Sequence, residues 1–130
     1  MTVCRVPYAR LAGAAQAVLR IGVGLLFFQH GLQKLGVLGG AVVPLASRLG
    51  VAAGLETLGG ALIVLGLFTR PVAAILVIEM LVAFTLVHMP RGGLPLQNGG
   101  ELPLLYALIF IYFAANGAGP ASVDRLRRSD

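Results

Sequence analysis

The sequence predicts an all-α membrane protein: one domain over residues 1–130, built as a bundle of four transmembrane helices with the N- and C-termini in the cytoplasm. Hydrophobic residues make up 58% of the chain and charged residues 12%, against about 45–50% and about 25% in ordinary soluble proteins. A soluble domain of this size keeps about a third of its unfolded-chain surface exposed. In water, a chain this apolar would have to expose many hydrophobic side chains on that surface. Lipid around the helices is a favourable environment for those side chains.

Four apolar segments give the predicted helices, roughly 11–34, 50–68, 71–88 and 101–116. A helix needs about 20 apolar residues to cross the hydrocarbon core, with about 17 as the lower limit. Only a helix satisfies all of its own backbone groups there. Pro71 is expected at the first position of the third helix. The apolar link 35–50 leaves two alternatives open, a position at the membrane interface or a dip into it.

The basic residues predict the orientation, because cytoplasmic segments carry an excess of Lys and Arg. With four crossings, six basic residues fall on one side and three on the other. The first set is Arg5, Arg10, Arg70, Arg125, Arg127 and Arg128, and the second is Lys34, Arg48 and Arg91. The first side is therefore predicted to be the cytoplasm. Basic residues spread in this way, without interleaved aromatics, do not indicate a nucleic-acid partner.

Three charged residues fall inside the predicted helices, where each costs at least ~2.5–3.5 kcal/mol if it faces lipid. They are Arg20, Glu56 and Glu79. Counting 1.5 Å per residue places Arg20 about 15 Å below His30 and Glu79 at a similar depth below His88. We therefore expect Arg20 to pair with Glu79, with Glu56 nearby, in a buried ionic cluster. The cluster could fix helix register or form a proton or ligand site.

A second group of polar residues is predicted at the outer mouth of the bundle, where it could form a ligand-binding site. Its members are His30, Gln33, Lys34, His88, Asn98 and Glu101. The alternative is that these residues only anchor the helix ends at the interface. A pocket with a few directed polar groups is the usual form of a small-molecule site.

Metal, haem and thiol chemistry are not favoured by the sequence. Glu79 and His88 are nine residues apart, half a turn out of phase on a straight helix, and no third metal ligand follows at a fixed spacing. They share one narrow interior only if the helix kinks or ends before Pro90. The single cysteine, Cys4, excludes an internal disulfide or a CxxC pair.

The ordered set of motifs resembles the DoxX family of small four-helix membrane proteins. It comprises Arg20-Ile21-Gly22-Val23-Gly24, His30-Gly31-Leu32-Gln33-Lys34-Leu35, Glu56 with Gly59-Gly60, Gly66-Leu67-Phe68-Thr69-Arg70, Asn98-Gly99-Gly100-Glu101 and Gly117-Ala118-Gly119-Pro120 with Ser122 and Asp124. Two features depart from the family pattern. The link after the first helix is short, and the tyrosine often found before Glu101 is absent, although Tyr106 could partly substitute.

The resemblance implies a bacterial plasma (inner) membrane protein that is accessory to, or a subunit of, a membrane-associated oxidoreductase system. A quinone or another small lipophile could bind at the outer mouth, and the partners would be the bilayer, a redox protein or further copies of the chain. The alternative is a small proton-coupled carrier that uses the Arg/Glu cluster, and a third is an enzyme acting on a lipophilic substrate. No redox centre or catalytic motif is visible in the sequence.

Overall fold

The computed structural model describes residues 8–128, and all of the regular structure in that range is helical. The helices are α1 (Tyr8–Lys34), α2 (Arg48–Leu65), α3 (Thr69–Ala83), α4 (Pro95–Asn98), α5 (Glu101–Asn116) and α6 (Val123–Arg128). α3 continues through a π-helical turn, Phe84–His88, and a 3-10 turn, Met89–Arg91. Cys4 and Arg5, singled out in the sequence, lie outside the described residues.

Three helical segments are long and apolar enough to cross a membrane: Tyr8–Lys34, Arg48–Leu65 and Thr69–Arg91. The helix Glu101–Asn116 is apolar but shorter. Large apolar side chains are exposed on the surface of the bundle, for example Val18, Leu58 and Leu108 at 72%, 65% and 64%. The predicted fold class is confirmed as an all-helical chain with three to four helices that could span a membrane.

Glycines allow α1 and α2 to pack closely in antiparallel directions. A Cβ added to Gly60 would lie 2.7 Å from the backbone nitrogen of Phe28, and one added to Gly24 would lie 2.9 Å from the nitrogen of Val64. Helix backbones in membranes approach this closely where small residues face each other, and dispersion forces then hold them together. The pair α1 and α2 is therefore the most tightly joined part of the bundle.

Aromatic side chains fill the centre between α1, α3 and α5. The ring of Phe27 meets the rings of Tyr106 and Phe110 edge-on, at centroid distances of 5.1 Å and 5.0 Å. Phe110 and Leu76 are fully buried beside them. Edge-to-face pairs of this kind add about 0.5–1.5 kcal/mol each beyond the area that they bury. This core joins the α1–α2 pair to the α3–α5 pair.

The segment after α5 folds back onto the bundle, and its Asp124 caps the N-terminus of α3. No residue next to that helix in the described chain provides a side-chain cap. The carboxylate of Asp124 accepts hydrogen bonds from the backbone N–H groups of Phe68, at 2.8 Å, and Thr69, at 2.9 Å. Phe68 has φ = 51°, a left-handed conformation that is uncommon for a bulky residue. The helix thus begins at Thr69, two residues before the predicted start at Pro71, because Asp124 satisfies the first N–H groups from a distant part of the chain.

The Asp124 cap predicts a pH-dependent stability. Burial alone would raise the pKa of this carboxyl, but the hydrogen bonds from Thr69 and Phe68 and the charge of Arg127 outweigh it and hold the pKa below its ordinary value of 3.8. The stabilisation is therefore complete above the unfolded-state pKa and is lost as the pH falls through the lower folded-state value. Asp124→Ala should lower the free energy of unfolding by about 1–2 kcal/mol at neutral pH.

The measurement is unfolding in mixed micelles at pH 7 and below pH 4, where the difference between wild type and Asp124→Ala should shrink. The matched control is Glu101→Gln, which alters an exposed carboxylate. A difference that stays constant as the pH falls would show that the carboxylate form is not what stabilises α3.

Candidate functional site

A cavity of about 990 Å³ lies between the second half of α3, the first half of α2 and the nearby ends of α1 and α5. Its walls are mostly apolar, with Leu55, Ile75, Ile78 and Val82 among them. Eight polar or ionisable residues also line it: His30, Lys34, Arg48, Glu56, Glu79, His88, Arg91 and Tyr106. An apolar cavity with a few converging polar groups has the usual form of a small-molecule site.

An ion pair joins α1 to α2 at the cavity wall. The ammonium of Lys34 contacts Glu56 Oε1, and the side chains are 29% and 5% exposed. Glu56 is held on the inner face of α2 by the packing of α1, and Lys34 at the last position of α1 reaches back to it. The buried ion pair therefore lies beside the cavity. The second carboxyl oxygen, Glu56 Oε2, has no hydrogen-bond partner among the described residues.

Glu79 projects from α3 into the same cavity. Both of its carboxyl oxygens are buried, and neither has a hydrogen-bond partner in residues 8–128. Glu56 and Lys34, which line the same cavity, are the charged groups that act on it. Two carboxyl groups and one ammonium therefore share the deep end of the cavity.

The π-helical turn brings His88 to the cavity that Glu79 lines. The N–H of Met89 bonds to the carbonyl oxygen of Phe84, five residues back, so one extra residue is inserted into the helix. At about 100° per residue, this insertion turns His88 through roughly a quarter of a revolution relative to Glu79. The two side chains therefore no longer point to opposite sides of the helix, as they would on a straight one. His88 Nδ1 lies 3.1 Å from the carbonyl oxygen of Asn98, and since a carbonyl only accepts, Nδ1 donates.

His30 lies deeper in the bundle than His88. Its ring meets the ring of Tyr106 edge-on at a centroid distance of 6.0 Å, and Tyr106 is five residues, or about 7–8 Å, inside the start of α5. His88 contacts the chain just before that start. The two histidines therefore mark different depths along one cavity wall.

Comparison with known proteins supports the resemblance seen in the sequence. The DoxX family model matches residues 15–89. A Haemophilus influenzae "Uncharacterized protein" is 41% identical over 116 residues, 83% of this chain and 87% of that protein. The chain belongs to the DoxX family. A Bacillus subtilis family relative, "Putative oxidoreductase CatD", is 29% identical over 113 residues, 82% of each chain. No solved structure matches this chain.

In this DoxX chain the predicted pairing of Arg20 with Glu79 or Glu56 is wrong. Arg20 is fully buried, and its guanidinium donates to the carbonyl oxygens of Ala118 at 2.5 Å, Pro120 at 3.2 Å and Ala121 at 2.7 Å. Asp124 is the acidic group that acts on it. Arg20 therefore attaches α1 to the segment after α5.

The depth estimate failed because it placed His30 and His88 at the same level. His30 lies beside Tyr106, well inside the outer end of the bundle. Glu79 is ten residues from the start of α3, or about 15 Å, whereas the guanidinium of Arg20 lies against Gly66, just before that start. Arg20 and Glu79 are consequently at different depths, and Glu79 is level with Glu56 and Lys34.

The predicted mouth residues separate into two groups. His30, Lys34 and His88 line the cavity, whereas Gln33, Asn98 and Glu101 do not. Gln33 and Glu101 are exposed. The Asn98 amide is buried and closes a turn, because it donates to the carbonyl of Gly92 and accepts from the N–H of Gly100, both at 2.8 Å.

Sequence reasoning missed the cavity-lining positions of Arg48, Arg91 and Tyr106. Tyr106 lies on the inner face of α5 with Phe110, a helical spacing of four that indicates a common face. In a sequence, an aromatic helix face of this kind predicts a packed core, and it does not indicate that a cavity lies next to that core. Within residues 8–128, no three His, Cys, Asp or Glu side chains gather to hold a metal ion.

Two double-mutant cycles distinguish the observed contacts from the predicted ones. Lys34→Met with Glu56→Gln should show a coupling free energy of about 1–3 kcal/mol, since each single change leaves the other buried group without its partner. Arg20→Met with Glu79→Gln should be additive to within about 0.5 kcal/mol, because these residues share no contact. Unfolding of the purified variants in mixed micelles gives both values. Coupling above about 1 kcal/mol between Arg20 and Glu79 would contradict the arrangement described.

Proposed function

We propose that this DoxX protein is an accessory subunit of a membrane-associated oxidoreductase system and that its cavity binds a quinone or another small lipophile. The cavity is the observation that carries the proposal. Its volume of about 990 Å³ is at the upper end of the usual range for ligand sites, about 300–1,000 Å³. Its apolar walls suit a lipophilic body, and its polar residues can orient a head group.

The redox association draws on one relative: a protein that is 29% identical has the name "Putative oxidoreductase CatD". A chain of this composition can assist redox chemistry by holding a lipophilic electron carrier for a separate partner protein. Purification in mild detergent, followed by mass spectrometry of proteins and small molecules, identifies that partner or further copies of the chain.

Quinone carbonyl groups are hydrogen-bond acceptors, so they need donors on the cavity wall. Lys34 carries donors at the deep end, beside Glu56, and the imidazoles of His30 and His88 lie along the wall at two depths. Because His88 Nδ1 donates to Asn98, the neutral ring has Nε2 as an acceptor, and the protonated ring can donate from it.

The buried carboxyl groups favour a second candidate, a small proton-coupled carrier. Ionisable residues inside a membrane commonly mark proton or substrate pathways, and Glu79 has two buried oxygens without a hydrogen-bond partner in the described chain. A carrier would move protons across proteoliposomes when its substrate is added. An accessory subunit would bind a lipophile without proton movement.

The proposed topology has four crossings, with both termini on the cytoplasmic side of a bacterial inner membrane. The helices α1, α2 and α3 support three crossings. α5, with 16 residues, is close to the lower limit of about 17 for a span. Gln16 of α1 donates to the carbonyl of Gly117 at 3.0 Å, so the first half of α1 and the segment after α5 lie at the same end of the bundle.

Reporter fusions test this topology. Fusions after Arg70 and after Asp130 should have cytoplasmic activity, and a fusion after Gly92 should have external activity, because basic residues are more numerous on the first side. The measurement compares a reporter active only in the cytoplasm with one active only outside the membrane. External activity from the fusion after Asp130 would contradict the assignment.

Ligand binding is tested with a short-chain benzoquinone and the protein in lipid nanodiscs. Ile78→Trp should lower the affinity at least about tenfold, because the larger side chain takes up space at the cavity wall that Ile78 lines. His30→Ala and His88→Ala should each weaken binding by a smaller factor while the protein remains folded. Thermal unfolding with increasing quinone concentration gives the affinities.

The matched control is Leu108→Trp on α5, because Leu108 and Ile78 are both 64% exposed but Leu108 does not line the cavity. It should bind the quinone as wild type does. Quinone binding that is equally strong in wild type and Ile78→Trp would place the ligand outside the cavity and refute the proposal.

A further inference from the structure

The deep end of the cavity offers hydrogen-bond acceptors that the described chain does not use. Glu56 is 4% exposed, and its Oε2 is buried without a partner, as are both oxygens of Glu79. An ionised carboxylate only accepts hydrogen bonds. A quinone carbonyl is also only an acceptor, so it cannot bond to these oxygens. The head group that complements this end of the cavity is a donor.

The deep end holds one cation for two carboxyl groups among the described residues. Lys34 pairs with Glu56, and Glu79 lines the same cavity without a hydrogen-bond partner. Arg20, the other buried cation, is bound to backbone carbonyl groups elsewhere. An unpaired carboxylate among apolar walls is costly unless an opposite charge or a proton reaches it. A cationic head group would provide that charge.

The remaining cations of the cavity lie at its mouth. Arg48 is the first residue of α2, eight residues from Glu56, and Arg91 is twelve residues beyond Glu79. These separations correspond to about 12 Å and about 18 Å along the helices. Both arginines are exposed, so water and salt screen them from the deep end. His30, His88 and Tyr106 complete the ionisable groups on the cavity wall.

The wall between α2 and α3 opens toward the lipid. At its closed end, Gly59 of α2 packs against Leu76 of α3, where an added Cβ would lie 2.8 Å from a leucine methyl group. Farther along, Val51 and Ile78 line the cavity and are also 58% and 64% exposed. The same apolar side chains therefore face the cavity and the surroundings of the bundle. A molecule dissolved in the bilayer can enter here without passing Arg48 or Arg91.

We propose that Glu56 and Glu79 bind the protonated amine of a lipophilic amine that enters the cavity from the bilayer between α2 and α3. The proposal rests on the proposed function, in which the cavity binds a lipophile, and it names the chemical class. The ammonium donates hydrogen bonds to the free carboxyl oxygens and balances the charge of the Glu56–Glu79–Lys34 group. The apolar body lies against Ile78 and Val51.

The test compares decylamine with decanol at pH 7.5, using the full chain in nanodiscs of zwitterionic lipid. The two probes have the same apolar chain, but only the amine is a cation at this pH. Wild type should bind decylamine about tenfold or more tightly than decanol, measured against nanodiscs without protein. Ile78→Trp should weaken the binding of both probes. This comparison uses wild-type protein and does not depend on the folding of a variant at the carboxyl groups.

Glu79→Gln removes the carboxyl group that can ionise while it keeps the size of the side chain, and it should reduce the preference for decylamine to less than about threefold. Glu101→Gln is the matched control, because Glu101 is exposed and does not line the cavity; it should retain the wild-type preference. Equal preference in wild type and Glu79→Gln would overturn the assignment of the amine to this site.

The outcomes separate this inference from the proposed function. Equal affinity for decylamine and decanol in wild type, with both weakened by Ile78→Trp, would refute the amine site and leave lipophile binding in place. If no probe, including the short-chain benzoquinone, binds in a manner sensitive to Ile78→Trp, the proposed function fails together with the inference.

Discussion

The structure depends on one constraint: a charged group removed from water must find its partners within the protein. Arg20 meets this constraint with three backbone carbonyls after α5, and Lys34 meets it with Glu56. The first contact lies near the middle of α1, and the second lies at its C-terminal end. The first joins α1 to the segment that caps α3, and the second joins α1 to α2. Charges in the bundle thus determine which helix ends lie together.

Glu79 is the exception that gives the molecule a candidate site. Its buried oxygens have no protein partner among the described residues, and such groups in native proteins call for an explanation beyond packing. The π-helical turn at Phe84–His88 is close by and directs His88 to the same cavity. π-helical turns occur frequently at functional sites. The half of the bundle around Arg20 holds the helices together, and the other half carries the features of a binding site.

Helix packing explains why a cavity forms between α2 and α3 and not between α1 and α2. Glycines at positions 24, 31 and 60 bring α1 and α2 into backbone contact. Between α2 and α3, close contact is limited to the region of Gly59 and Leu76. Beyond it the larger side chains Ile78 and Val82 line an open space. Small residues therefore close the groove between α1 and α2, and bulky residues leave the groove between α2 and α3 open.

By itself the sequence determined the membrane class, the DoxX resemblance and the approximate helices, because each follows from local composition and order along the chain. The range 101–116 coincides with α5, whereas α3 begins two residues before the predicted start because Asp124, fifty-five residues away, caps it. Only the tertiary structure decided the partners of Arg20 and Glu56, and it left Glu79 without a hydrogen-bond partner among the described residues. Pairing in a bundle depends on the relative depth of the helices, and a count of residues from His30 and His88 gives that depth only if both histidines lie at one level. They do not, since packing against Tyr106 sets one and the π-helical turn sets the other.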